Sequence, residues 1–328
     1  MAHLPHIIPM KQPSIAVIGA GIIGLSCAVE LYWAGYKKIT LFAEKLTPHT
    51  TSDIAAALWM PYKAHPENLI NQWCKNSLIT LNKLFAVKEA GISWTDYTEL
   101  YQKATPLPLW MNLVERKTVN KLPSGYHYSY TVKVPIIHSA FHLPYLMQIL
   151  SKAQIQIQQK KISAINHLTK QFDIIINCSG LGARELVDDT NVFPIRGQMV
   201  VFSKTPALNY SIAELGENLT CVIPRSQDCM VGGTIEENNW DLQPDPEASR
   251  LMIERATAIC PELKTAEIID VKTGLRPGRN KIRLEAEKID DSLVIHNYGH
   301  GGAGYTLAWG CAADVKTLVN NYVHPAYG

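Results

Sequence analysis

The stretch Ser14-Ile15-Ala16-Val17-Ile18-Gly19-Ala20-Gly21-Ile22-Ile23-Gly24 decides the fold. It opens with a short apolar run, which predicts a strand that is buried on both faces. Helical periodicity follows over residues 22–34 and stops at Gly35, a residue typical of a helix end. A second apolar run, Ile39–Phe42, predicts another strand. The order strand, helix, strand indicates a parallel sheet with helices packed on its faces.

The glycines between the first strand and the helix match G-x-G-x-x-G. Gly19 permits a tight turn, Gly21 lets the backbone approach a pyrophosphate, and Gly24 allows close packing of helix on strand. Glu44 lies at the end of the second strand, where a carboxylate can accept hydrogen bonds from ribose hydroxyls. We therefore predict an adenine dinucleotide, either NAD or FAD, at the helix N-terminus. The predicted pyrophosphate-binding residues are Gly19, Ala20, Gly21, Ile22, Ile23 and Gly24.

The composition excludes several classes of protein. The chain has 328 residues, of which 47% are hydrophobic and 18% are charged, so it can bury a large core in one domain or in two intertwined domains. Its 31 basic and 29 acidic residues nearly balance, which excludes a protein that holds nucleic acid mainly by bulk charge. The apolar runs have the length of strands and are too short to span a membrane.

No export or metal-binding pattern is present in the sequence. Residues 1–10 lack the compact apolar segment of a secretory signal, and the last residues are not a peroxisomal signal. We therefore expect a cytoplasmic protein. The seven cysteines have no C-x-x-C spacing, so we expect reduced core thiols and no metal site.

Two kinds of sequence alternate along the chain. Buried-type strands recur near both ends and in the middle, whereas the segments between them read as antiparallel strands and long helices. The predicted elements beyond the opening are helices at 68–90, 141–153, 247–260 and 303–321, parallel-type strands at 173–178 and 293–297, β-rich sequence at 95–134, and antiparallel strands at 199–202, 220–223 and 230–233. The fold class is thus α/β, a Rossmann-like domain with an inserted antiparallel-β-rich substrate domain. We expect the first domain at 1–63, 136–193 and 286–328, and the second at 64–135 and 194–285.

Four further stretches of the sequence distinguish between NAD and FAD as the cofactor. They are Thr47–Trp59, Arg196-Gly197-Gln198, Gly274-Leu275-Arg276-Pro277 and the run Val294–Gly310, which contains Asn297-Tyr298-Gly299-His300-Gly301-Gly302-Ala303-Gly304. With the opening fingerprint they resemble the D-amino-acid oxidase family, which includes D-aspartate oxidase, from about residue 14 to residue 320. The resemblance implies that the Rossmann-like domain binds FAD, that the substrate is a D-amino acid, and that O₂ reoxidises the flavin.

The resemblance also implies which residues surround FAD. Those that follow the second strand run from the adenosine end to the isoalloxazine ring: Glu44, Lys45, Thr50, Thr51, Ser52, Ala56, Ala57 and Leu58. Those from later segments are Lys161 or Ile162, Ser179, Gly301, Gly304, Tyr305 and Thr306. The last helix would point its N-terminus at the flavin, where its partial positive charge stabilises an anion on the ring.

On the substrate side, the resemblance implies that Arg276 clamps the substrate carboxylate, a task that suits the planar guanidinium. The backbone carbonyl of Gly302 would accept a hydrogen bond from the substrate amine. Arg279 and Arg283 are better candidates for ordinary structural ion pairs. We also expect structural roles for the histidines at 296 and 300.

The chain departs from the eukaryotic members of the family at two active-site tyrosines. Glu217 and Cys221 stand at those positions, and the segment 199–224 is shorter, which predicts a reduced lid. Tyr210 could supply a phenol from another place, or it could be a surface residue. Met60 stands where a glutamine is common, which makes the predicted pocket more apolar.

We expect oxidative deamination of neutral D-amino acids, with hydride transfer to flavin N5, giving a 2-oxo acid, ammonia and hydrogen peroxide. In the D-aspartate-oxidising branch an arginine follows Gly-Gly-Thr, whereas here Ile235 follows it and offers no charge to a second carboxylate. The alternatives are a glycine or secondary-amine oxidase on the same scaffold and a flavin-binding protein without amine oxidase activity. The expected partners are a small D-amino acid and O₂, without nucleic acid or membrane, and a homodimer is the candidate assembly.

Overall fold

A six-stranded sheet forms one half of the fold in the computed structural model, which describes residues 12–62, 64–118, 122–216 and 219–325. In spatial order its strands are β14 (Arg283–Ile289), β15 (Ser292–Tyr298), β7 (Ile174–Asn177), β1 (Ile15–Ile18), β2 (Ile39–Ala43) and β6 (Gln156–Gln159). All pairings are parallel except that of β14 with β15. Parallel strands end at the same edge, so the loops after β1, β2, β6, β7 and β15 lie side by side.

Helices cover both faces of this sheet. The α-helices of the described chain are α1 (Ile22–Trp33), α2 (Thr51–Ile54), α3 (Glu67–Phe85), α4 (Ser139–Lys152), α5 (Asn166–Thr169), α6 (Ala183–Leu186), α7 (Pro246–Ile259) and α8 (Gly304–Val323). Ile15 and Val17 pack into a large core with α1, α4 and α8, whereas Ala16 and Ile18 pack into a small core with Leu168 of α5. This alternation is the reason why β1 has to be apolar at every position.

A nine-stranded, mainly antiparallel sheet forms the other half. Its strands are β12 (Glu236–Glu237), β8 (Phe193–Ser203), β11 (Asp228–Gly232), β10 (Thr220–Pro224), β9 (Tyr210–Glu214), β3 (Ile92–Tyr101), β5 (Tyr128–Ile137) and β4 (Arg116–Lys117) in spatial order, and β13 (Ile268–Gly278), which pairs with β8. One face packs against α7 through residues such as Val222. The other face, with Ala213, Cys221 and Ile223, joins the large core, which is therefore continuous between the two sheets.

The predicted α/β fold class is confirmed, and most predicted elements lie within a few residues of their positions. The helix predicted over 68–90 is wrong at its end, because α3 stops at Phe85 and a separate 3₁₀ turn occupies Lys88–Ala90. Gly91, with φ +63°, closes that turn and not the helix. The domain boundaries given above stay a prediction.

All seven cysteines are buried and carry free thiols, as expected for core residues. No helix in the part of the chain that the structure describes is long and apolar enough to span a membrane.

The crossing of α3 and α8 depends on Gly310. A Cβ atom at Gly310 would lie 2.2 Å from the backbone oxygen of Trp73 in α3. The backbone N–H of Gly310 also donates to Ser77 Oγ at 2.8 Å. Since a helix backbone would have to move, we expect Gly310→Ala to destabilise the protein by about 1–3 kcal/mol. The matched control is Gly182→Ala, where the new Cβ would make an ordinary 3.5 Å contact with Ser179. Thermal unfolding should show a lower midpoint for the first variant and little change for the second; equal midpoints would contradict the prediction.

Candidate active site

The glycine turn after β1 leaves room for a ligand at the start of α1. Gly19 has φ +108°, and a Cβ atom at Gly24 would lie 1.9 Å from the Gly19 carbonyl oxygen, so both positions require glycine. At Gly21 an added Cβ would meet only the side chain of Ser52, whose Oγ would be 3.0 Å away. The backbone N–H of Ile22 donates to the same Oγ at 3.0 Å. The turn is therefore an open cradle at a helix N-terminus, which fits a pyrophosphate.

The segment that follows β2 is held against this cradle by its own hydrogen bonds. Asp53 accepts from the N–H of Thr50 at 2.8 Å and from its hydroxyl at 2.6 Å, and it also accepts from the Thr47 hydroxyl. The phenol of Tyr305 donates to the backbone oxygen of Ser52 at 2.9 Å. The predicted FAD residues 50–52 and 305 thus lie together, with Thr51 exposed beside them.

The start of α8 joins the next part of the same segment. The Thr306 hydroxyl accepts from the backbone N–H of Met60 and donates to its carbonyl oxygen, both at 2.9 Å. Ala57, with φ +55°, has its carbonyl oxygen bonded by the N–H of Ile137 in β5. A Cβ atom at Gly304 would lie 3.7 Å from Ile22 Cγ2, so the N-termini of α1 and α8 converge. Their partial positive charges favour an anionic ligand here.

The other predicted FAD residues lie around the same sheet edge. Ala56 is buried, and Leu58 forms a bridge with Ile136 of β5. Glu44 and Lys45 follow β2 and are exposed. The remaining four follow β6, β7 and β15. After β6, Lys161 is exposed and pairs with Glu185, whereas Ile162 is buried in the small core. After β7 the Ser179 hydroxyl donates to Asn177, and after β15 the N–H of Gly301 donates to the carbonyl oxygen of Pro277.

Arg276 lies on β13 and reaches over Gly197 of β8, where a Cβ atom would lie 2.2 Å from its Nη1. Nη1 donates to the backbone oxygen of Thr234 at 3.1 Å. Gly302 faces it, since a Cβ atom there would lie 3.7 Å from Arg276 Cδ and 3.8 Å from Tyr62 Cδ1. The side chain is mostly buried, and burial lowers the pKa of Arg276. Within residues 12–62, 64–118, 122–216 and 219–325, no carboxylate forms a salt bridge with it, so the site offers a cation to an anionic group.

Cys221 lies close to this cation, and Met60 contacts the first of three residues of β3 that we did not predict. Tyr97 is fully buried, and its hydroxyl lies 3.0 Å from Glu99 Oε1 and 3.1 Å from Met60 Sδ. The phenol of Tyr101 donates to the other oxygen of Glu99. Burial raises the pKa of Glu99, while the two phenols act in the opposite direction. Burial also raises the pKa of Cys221 to about 12, so its thiol is neutral.

The suggestion that Tyr210 supplies a phenol to the pocket is wrong. Tyr210 shares its side of β9 with Ile212, which packs under α7, and its hydroxyl lies 3.2 Å from Glu262 Oε1. Because side chains alternate along a strand, Ala213 takes the pocket side instead. Glu217 lies outside the described residues. β9 ends at Glu214, and β10 begins at Thr220.

The neighbouring arginines and histidines have the structural surroundings expected of them. Arg279 pairs with Asp189 at 3.0 Å, and Arg283 pairs with Glu285 at 2.6 Å. The histidines are both buried: His296 lies 2.6 Å from Glu287 Oε1, and burial lowers the pKa of His300 to about 3.

Comparison with known proteins agrees with this geometry. Residues 14–317 match the DAO family model, described as FAD dependent oxidoreductase. The chain is 36% identical over 310 residues to a D-amino-acid oxidase of Rubrobacter xylanophilus, covering 92% of this chain and 94% of the relative. It is 32% identical over 318 residues to a D-amino-acid oxidase of Dictyostelium discoideum (94% and 91% covered) and 33% identical over 337 residues to a D-aspartate oxidase of Homo sapiens (96% and 97%).

Among solved structures, the glycine oxidase of Bacillus cereus superimposes with a TM-score of 0.78 at 16% identity, covering 94% of this chain and 95% of that one. At such low identity the likeness shows the fold alone. The family match and the relatives above 30% identity extend over nearly the whole chain. The chain therefore belongs to the family of FAD-dependent oxidoreductases that contains the D-amino-acid oxidases, and FAD is its cofactor.

Proposed function

We propose that this protein oxidises neutral D-amino acids to 2-oxo acids and ammonia, with O₂ as the final electron acceptor and hydrogen peroxide as the second product. The observation that supports this most directly is the mostly buried guanidinium of Arg276, which has no carboxylate partner among the described residues and faces Gly302. An α-amino acid brings the carboxylate that such a cation needs.

Each residue of the site has a defined task in this proposal. Arg276 binds the substrate carboxylate through two nitrogens, and the carbonyl of Gly302 accepts a hydrogen bond from the amine. Met60 and Cys221, with Tyr97 in contact with Met60, form a wall beside the substrate side chain, called the substrate wall below. FAD, when bound, supplies the acceptor for the hydride that leaves Cα, and water then hydrolyses the imino acid to the 2-oxo acid and ammonia.

No side chain in this wall is suited to act as a base near neutral pH. Burial raises the pKa of the Cys221 thiol to about 12 and raises the pKa of the Tyr97 phenol well above its usual range. A base needs a pKa near the working pH to be effective. The amine must therefore bind in its neutral form, and catalysis rests on positioning by Arg276 and Gly302.

A glycine or secondary-amine oxidase and a flavoprotein without amine chemistry are the competing functions. The relatives at 36% and 32% identity are named D-amino-acid oxidases and the relative at 33% a D-aspartate oxidase, whereas the glycine oxidase resembles this chain in fold only. Peroxide release should be measured with D- and L-alanine, D-methionine, glycine and sarcosine. We expect turnover of the two D-amino acids ahead of glycine and sarcosine, and none of L-alanine. Preference for glycine or sarcosine would support the first competitor, and no turnover the second.

The role of Arg276 is testable by Arg276→Leu. This variant should keep the flavin absorbance spectrum and lose roughly 30- to 4,000-fold in kcat/KM for D-alanine, because a charge-assisted pair costs about 2–5 kcal/mol when one partner is removed. Arg279→Leu is the matched control, since that arginine pairs with Asp189. It should lower the melting temperature but change kcat/KM less than about threefold. A loss below about threefold in Arg276→Leu would exclude it as the carboxylate partner.

Side-chain selectivity gives a further prediction. Arg276 donates to the Thr234 carbonyl, so Ile235, the next residue, lies close to the carboxylate site and brings no second cation to it. Burying a second carboxylate without a partner costs several kcal/mol. We expect D-alanine and D-methionine to be oxidised well ahead of D-aspartate and D-glutamate, and Ile235→Arg to narrow that gap. The ratio of kcat/KM for D-aspartate to kcat/KM for D-alanine measures this gap in the wild type and in the variant. D-Aspartate as the best substrate of the wild type would contradict the prediction.

A further inference from the structure

Glu99 lies on the same face of the antiparallel sheet as the substrate wall. The register pairs Glu99 with Ala213, Ala213 with Cys221, and Cys221 with Gly232. Paired residues point to one face, and two strand spacings separate the Cα atoms of Glu99 and Cys221 by about 10 Å. Arg276 reaches over this same face from the side opposite to Glu99. Cys221 therefore stands between a cation and a carboxylate.

The carboxylate of Glu99 has no compensating positive charge in the described structure. Its side chain is 2% exposed, and both of its oxygens accept hydrogen bonds from phenols, those of Tyr97 and Tyr101. Two donated hydrogen bonds suit an ionised carboxylate, which can only accept. The buried Asp189 differs, since it is paired with Arg279. Among residues 12–62, 64–118, 122–216 and 219–325, no Lys, Arg or His forms a salt bridge with Glu99.

An anchor for two tyrosines does not need this charge. A glutamine at position 99 could accept one of these hydrogen bonds through its carbonyl oxygen and donate its amide N–H to the oxygen of the other phenol, at a lower desolvation cost. The charge is thus kept next to the wall of Tyr97, Met60 and Cys221, where the hydroxyl of Tyr97 touches Met60 Sδ. A field in such a low-dielectric site acts on whatever substrate group lies at that wall.

We propose that Glu99 extends the substrate range from neutral to basic D-amino acids by determining specificity for side-chain charge, favouring basic D-amino acids over neutral ones of equal length and disfavouring acidic ones. The proposal rests on the proposed function, in which Arg276 holds the substrate carboxylate and the side chain lies along Met60 and Cys221. Opposite unit charges about 7–10 Å apart at an effective dielectric constant of about 20 favour the pair roughly 15- to 50-fold. Contact between Glu99 and the substrate is not required for an effect of this size.

The test uses two pairs of substrates that differ in charge but hardly in shape, D-lysine with D-norleucine and D-glutamate with D-glutamine. Values of kcat/KM from peroxide release are compared between the FAD-loaded wild type and Glu99→Gln. We expect the variant to lower the D-lysine to D-norleucine ratio about tenfold or more and to raise the D-glutamate to D-glutamine ratio. A merely structural role would lower all four values together. Ratios that stay within about twofold of the wild type would overturn the proposal.

The matched control is Asp96→Asn, which removes one negative charge from the same strand. Asp96 points to the opposite face and pairs with Lys117 at 2.7 Å, so both ratios should stay unchanged. Should Glu99→Gln fail to fold, the wild type decides alone: a D-lysine to D-norleucine ratio below one, with D-glutamate as good as D-glutamine, overturns the proposal. Turnover of D-alanine without charge selectivity refutes the role of Glu99 only, whereas absence of any D-amino-acid turnover refutes the proposed function with it.

Discussion

A mostly buried guanidinium held by backbone carbonyls is the constraint on which the site depends. Burying such a charge without a carboxylate is costly, and the fold compensates only in part with the carbonyl oxygens of Thr234 and Arg196. The guanidinium also needs the flat surface over Gly197, since any side chain there would collide with it. The antiparallel sheet thus holds one charge at a defined place, where the carboxylate of the proposed substrate would complete the arrangement.

Another small set of hydrogen bonds fixes the segment of Met60 where the two sheets meet. A single hydroxyl, that of Thr306, fixes both backbone groups of Met60, and it stands in the first turn of α8. The helix whose N-terminus faces the predicted cofactor cradle therefore also fixes Met60, which the proposed function places beside the substrate. The residues predicted to bind FAD and those proposed to bind substrate come from distant parts of the sequence, yet a few hydrogen bonds connect them directly. Such preorganisation is what a reaction that depends on positioning requires.

Local signals explain which parts of this arrangement could be predicted. The apolar run, the glycines and the helix after β1 are neighbours in sequence, and so are the elements around Gly301, so their geometry follows from short-range rules. The placement of Tyr210 failed because its side of the sheet depends on how β9 pairs with β3, a contact between distant segments. Tyr97 and Glu99 were missed for the same reason. The alternation of side chains along β3 can be predicted from its sequence, but the strand that pairs with β3 cannot.

The burial of the cysteines has a consequence for the durability of an enzyme that would release peroxide. Peroxide attacks thiolates and not thiols, so a cysteine resists oxidation when it is kept protonated and shielded from solvent. Burial raises the pKa of six of the seven thiols, those of Cys74, Cys178, Cys221, Cys229, Cys260 and Cys311. Even Cys221, at the substrate wall, is held in this state. We therefore expect these thiols to resist the peroxide that the proposed reaction would release, without a disulfide framework to protect them.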